Sequence, residues 1–155
     1  MLRDAAIALV QTQSGSVALV ARLVLAIVML PHGLQKTAGW FGGYGFSGTM
    51  QFFTATLGIP WVLALAAILA ETIGPIALAA GFATRVGAAA IGTNMVVAAL
   101  IRHLENGFFM DWFHTQPGEG IEYHLLAVAL CAVVFVLGGG TASVDRHLTK
   151  KFTRH

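Results

Sequence analysis

Three short polar clusters and two isolated charges interrupt an otherwise apolar chain, and their residue types suit the binding of a flat, carbonyl-bearing ligand. His32 and Lys36 are four residues apart, so on a helix they share a face. Arg102, His103 and Asn106 close one apolar run, and Glu122, Tyr123 and His124 open another. A quinone headgroup needs hydrogen-bond donors to its carbonyls beside an apolar channel for its tail, and His, Lys and Tyr supply them. A metal ion would want imidazole and carboxylate together, but no tight pair of histidines at helical spacing is present, and no metal is expected. A b-type haem would want two facing histidines deep between helices, where the sequence places none. The plainer alternative is that these groups solvate helix ends.

The two isolated charges are Arg22 and Glu71, each inside an apolar run. A charge at bilayer depth is costly, so it faces a protein interior, finds a partner and often marks a functional path. Opposite signs suggest an intramembrane Arg22–Glu71 pair. Arg22 can instead snorkel to headgroups. An unpaired Glu71 would take up a proton, serving either proton movement or a structural hydrogen bond. Asn94, in the middle of the third run, reads as an interhelical hydrogen bond.

The elements that must position these groups are membrane helices. The chain has 155 residues, of which 57% are hydrophobic and 10% charged, against about 25% charged in soluble domains. Spans are expected over residues 17–35, 59–81, 84–103 and 121–137, each near the roughly 20 residues needed to cross a bilayer. The expected fold is therefore all-α: a four-helix polytopic bundle forming a single membrane domain over residues 1–155. Pro31 should kink or end the first span, and residues 47–57 suit a short interfacial helix capped by Ser47. Residues 1–16 read as a lead-in rather than a cleaved signal.

Arg3, Arg85, Arg146, Lys150, Lys151 and Arg154 collect on one side, while Lys36 and Arg102 fall on the other. The positive-inside rule then puts both termini in the cytoplasm. The polar clusters and the aromatic loops face outward. The net charge of +2 is explained by this topology and does not point to a nucleic-acid partner. One cysteine, Cys131, excludes internal disulfides and the cysteine-pair chemistry of membrane thiol oxidoreductases.

The order of these signals resembles the DoxX family of small four-helix membrane proteins. The features that carry it are the Arg22 span ending in His32-Gly33-Leu34-Gln35-Lys36, Phe52-Phe53 with Gly58-Ile59-Pro60, Glu71, and Gly81 before Arg85. They continue with His103 and Asn106-Gly107-Phe108-Phe109, Glu122-Tyr123, and Gly138–Gly140 before Asp145. The resemblance spans roughly residues 16–146. It implies an inner-membrane location and places Arg22, Lys36, Glu71, Asn106 and Glu122 at characteristic positions without assigning them catalytic roles. Family members include the small subunit of a thiosulfate:quinone oxidoreductase, so a quinone and a membrane or periplasmic redox partner subunit are implied for some members.

The resulting expectation is a quinone-linked redox subunit, embedded in the lipid bilayer, binding a ligand through His32, Lys36, His103, Asn106, Glu122 and Tyr123. The alternatives are a non-catalytic anchor or assembly subunit and, further off, a small-solute transporter working as a homo-oligomer.

Overall fold

The computed structural model describes residues 8, 10–13 and 15–152, and among them there are helices and no strands. Helix α1 is Ser16–Thr37. A single turn at Trp40–Gly42 leads to α2, Gly45–Gln51, which ends in a π-helical turn at Phe52–Thr56. Helix α3 is Trp61–Ala80 and α4 is Thr84–Ala98; α4 continues through a π turn, Ala99–His103, and a 3₁₀ turn, Leu104–Asn106. Helix α5 is Glu122–Leu137 and α6 is Val144–Phe152. The lead-in expected over residues 1–16 falls largely outside the described residues.

Three of these helices are long and apolar enough to cross a membrane: Ser16–Thr37, Trp61–Ala80 and Thr84–Asn106. Helix α5 is equally apolar but has 16 residues, about 24 Å at 1.5 Å per residue. Helix α1 packs on α3 and α5, and α4 packs on the same two, which closes a four-sided bundle. Its core joins Leu25 and Met29 of α1 to Leu78, Ile91, Met95, Cys131 and Val134. A second, smaller core sets Met50 of α2 against Ala64 and Ile68 of α3.

Two local expectations are corrected. Of the kink or end expected at Pro31 the end does not occur: helix α1 runs through Pro31 to Thr37, with the proline removing one backbone donor. Helix α2 begins at Gly45, with Tyr44 before it and no side-chain cap. Ser47 is therefore an exposed residue within the helix.

One end of the bundle is closed by groups that satisfy helix termini. A helix leaves its last four carbonyls and first four N–H groups without internal partners, and in lipid those groups must be bonded inside the protein. Arg22 is 1% exposed. Its Nη1 donates to the Leu78 and Ala79 carbonyls at 2.6 and 2.7 Å, at the end of α3. Its Nε and Nη2 donate to the Gly139 and Ala142 carbonyls at 2.9 and 2.7 Å. Arg85 does the same for α5, donating to the Phe135 and Val136 carbonyls. Asp145, fully buried, accepts from the Ala83 and Thr84 backbone N–H groups and from the Thr84 hydroxyl at the start of α4. Gly81, at φ 67°, makes the turn between α3 and α4, and the Phe82 N–H reaches back to the Ala77 carbonyl.

Arg22→Ala leaves this set of carbonyls without their donor. The expected loss is on the order of 3 kcal/mol, read as a lower unfolding midpoint in detergent, with Arg22→Lys recovering part of it. An unchanged midpoint for Arg22→Ala would remove the guanidinium from the architecture.

Candidate functional site

The other end of the bundle is open. A cavity of about 1120 Å³ lies between the helices, lined by α1, the α2 turn, α3, α4, the first turn of α5 and Phe135 in its last turn. Its walls are mostly apolar; most of its polar groups gather towards the ends of α1 and α4 and the start of α5, and Arg85 stands at the far end.

At its base Glu71, 4% exposed, is held from two sides. Its Oε2 accepts from Lys36 Nζ at 2.5 Å and its Oε1 from Asn94 Nδ2 at 2.6 Å. Three helices thus converge on one carboxylate. Gly33 makes this possible: a side chain there would overlap the Glu71 backbone carbonyl, so α1 and α3 touch main chain to main chain. The Thr72 hydroxyl, 3.4 Å from the Gly33 carbonyl, lies across the same contact. Lys36 lies one turn beyond Gly33 and meets Glu71 directly.

The expected Arg22–Glu71 pair is accordingly not formed. Arg22 lies eleven residues before Gly33 on α1, about 16 Å along the axis, and its donors are taken up by the carbonyls at the opposite end. Each charge has a partner, but Glu71 takes Lys36, a residue that the sequence had suggested only for the outer cluster. Asn94, expected as an interhelical bridge, is the third member of the set and lines the cavity.

A row of rings forms the upper wall. His32 and Tyr123 have centroids 5.8 Å apart, Tyr123 and His124 5.6 Å, and His124 and His103 4.2 Å. The Tyr123 hydroxyl donates to Met29 Sδ at 3.2 Å. Nδ1 of His103 lies 2.9 Å from the Glu119 carbonyl; since a carbonyl can only accept, that nitrogen carries a hydrogen, and in the neutral ring Nε2 is then the acceptor. His124 is 6% exposed, and its Nδ1 is buried without a hydrogen-bond partner among the described residues. Lys36 spends one of its three hydrogens on Glu71, leaving donors for a ligand.

The structure brings four of the sequence-selected residues, His32, Lys36, His103 and Tyr123, to the cavity and sends two elsewhere. Glu122 accepts the Met110 backbone N–H at 3.0 Å. Asn106 donates to the Glu119 carbonyl at 3.1 Å. Both hold down the loop between α4 and α5, together with Glu119, which accepts from the Asp111 N–H, and Asp111, whose carboxylate accepts from Thr115 and Gln116. Their helix-end positions gave no way to tell a ligand contact from a loop anchor. Among the described residues no three His, Cys, Asp or Glu side chains gather to hold a metal ion.

Long apolar helices around a cavity that holds a Lys36–Glu71 ion pair and several aromatic polar groups define a multi-pass helical membrane protein with an internal cavity. The chain belongs to the DoxX family, which it matches over residues 17–104. It is 29% identical over 139 residues to Inner membrane protein YqjF of Escherichia coli (strain K12), an alignment covering 86% of this chain and 93% of that protein. No solved structure matches the chain.

The Lys36–Glu71 contact is part-buried and should couple strongly. A double-mutant cycle with Lys36→Met and Glu71→Gln is expected to give an interaction of about 1 to 3 kcal/mol, read from unfolding in detergent. Additive losses would mean that the two groups stand independently.

Proposed function

We propose that this protein is an inner-membrane subunit that binds a quinone-like ligand in the cavity, with its ring against the His32–Tyr123–His124–His103 wall. In this reading α5 also crosses the membrane, giving four crossings. Both termini then lie in the cytoplasm and the cavity's polar end faces outward. The observation that carries the reading is the cavity itself. Its mostly apolar walls and a few convergent polar groups are those of a ligand site, and it is built around a charge that lipid would otherwise disfavour. Lys36 offers a donor to one ring carbonyl. His103 Nε2 offers an acceptor to the hydroxyl that the reduced ring would carry. The family and the inner-membrane relative support the location.

The chain has a single cysteine, so it cannot pass electrons through an internal dithiol, and a redox role would be shared with a partner subunit. The exposed aromatics of the two loops, Phe109, Trp112 and Phe113 in one and Trp40, Phe41 and Tyr44 in the other, favour a docking or membrane-interface role for these loops. An assembly subunit without turnover of its own is the second reading.

Titration of purified protein with a short-chain ubiquinone analogue should raise its unfolding temperature; ligand at 100 times Kd contributes about 2.7 kcal/mol. His32→Ala and Tyr123→Phe are expected to weaken binding tenfold or more, while Glu122→Ala leaves affinity unchanged and exposes the α4–α5 loop to protease. The absence of any shift with benzoquinones and naphthoquinones alike would refute the binding role.

A further inference from the structure

The cavity is longer than a ring headgroup requires, and its shape points to how a ligand would reach it. Its lining starts at His103 and continues down α4 as far as Arg85 and Val86, close to the opposite end of the helix. That run is about 27 Å at 1.5 Å per residue, nearly the thickness of a hydrocarbon core. Along it the wall includes residues that are exposed on the outside of the bundle: Val86, Ala89, Ala90 and Thr93 of α4 and Ala66 of α3. The space is thus a groove open sideways, between α3 and α4 in its upper part and along the outer face of α4 lower down, where Phe135 of α5 joins the lining. In a bilayer this opening would face acyl chains.

The two ends of the groove differ in chemistry. One end has the Lys36–Glu71–Asn94 set and the imidazoles of His32, His103 and His124. Towards the other end the lining on α4 is alanine, valine and threonine, closed off by the Arg85 and Phe135 side chains. The volume of about 1120 Å³ also exceeds the usual range for compact ligands, about 300 to 1000 Å³, so a lone ring would leave most of the groove empty.

Building on the binding role proposed above, we infer that the site is loaded laterally from the lipid by an amphiphile, with a hydrogen-bonding ring at the Lys36 end and a long linear hydrocarbon tail lying along α4. This is the chemistry of a prenylated quinone and not that of a small water-soluble aromatic. The small side chains at Ala66, Ala89 and Ala90 leave the room that the tail occupies.

The test compares three probes on the detergent-purified full chain: a tail-less benzoquinone, a long-chain prenylated benzoquinone, and a long-chain alcohol without a ring. The prenylated compound is expected to bind at least tenfold more tightly than either of the others. Ala90→Trp, which fills the groove from an exposed position, should lower affinity for the prenylated compound at least tenfold and leave the tail-less one unchanged. Leu126→Trp, on an exposed face of α5 away from the groove, should change neither. Melting curves confirm that each variant is folded, and Ala66→Trp replaces Ala90→Trp if that variant is not. Equal affinity for tailed and tail-less quinones, unaffected by the tryptophan, overturns the lateral groove while the headgroup site stands. Binding of the alcohol as tightly as the prenylated quinone also overturns the inference, by showing a groove for any hydrocarbon chain. Failure of all three probes refutes the headgroup site and the groove together.

Discussion

A buried guanidinium bonded to four backbone carbonyls is the constraint on which the rest of this bundle depends. Helix ends inside an apolar medium expose carbonyls that water cannot reach. Arg22 meets the end of α3 and the glycine-rich turn after α5 with a single side chain. A lysine has one nitrogen and three donors, whereas the planar guanidinium spreads five across a fork, which suits carbonyls arriving from two segments. Arg85 at α5 and Asp145 at α4 complete the arrangement with matching signs, cations at helix C-termini and an anion at a helix N-terminus. One end of the molecule is therefore tied by side chains that are remote in sequence.

That closure leaves the other end free to be hollow. Helices pinned at one end and touching at Gly33 and Glu71 need not fill the space beyond the contact, and the polar end of the cavity occupies it, with a groove continuing along α4 towards Arg85. The Lys36–Glu71–Asn94 set then stands at the boundary between packed core and open volume. The Glu71 carboxyl there is held by an ammonium and an amide without sealing the site, because both partners have hydrogens to spare.

Much of this was legible in the residue pattern. The apolar runs located the long helices to within a few residues, the turn at Gly81 made α3 and α4 neighbours, and Arg22 and Glu71 were recognisable as interior groups because lipid does not tolerate them. The pairing was not legible. Opposite charge suggested that the two belong together, but depth along antiparallel helices decides contact, and depth follows from where the backbones touch. Gly33 sets that point, and a glycine in a membrane helix has no distinctive sequence signal. Asp145 was hidden for a similar reason: its partners lie more than sixty residues earlier. Glu122 and Asn106 sit at helix ends, where loop anchors and ligand contacts look alike, and only the backbone groups they meet separate the two roles.

The two π-helical turns give the cavity its form. A π turn adds a residue to the helix, which shifts the following side chains around the axis and weakens the regular bonding. Both described here, Phe52–Thr56 and Ala99–His103, lie against the cavity. In the first, the extra residue brings Phe52 and Phe53 to the wall and lets the chain turn through Gly58 into α3. In the second, it falls just before His103, the residue whose ring lies against His124 while its Nδ1 is fixed on the Glu119 carbonyl. A regular α-helix through 99–103 would present His103 on a different side of α4, away from that ring pair. The irregularity is thus what aligns the imidazoles, at the cost of weaker backbone bonding. That cost is placed at the open end because the closed end, held by Arg22, Arg85 and Asp145, keeps the helices together without it.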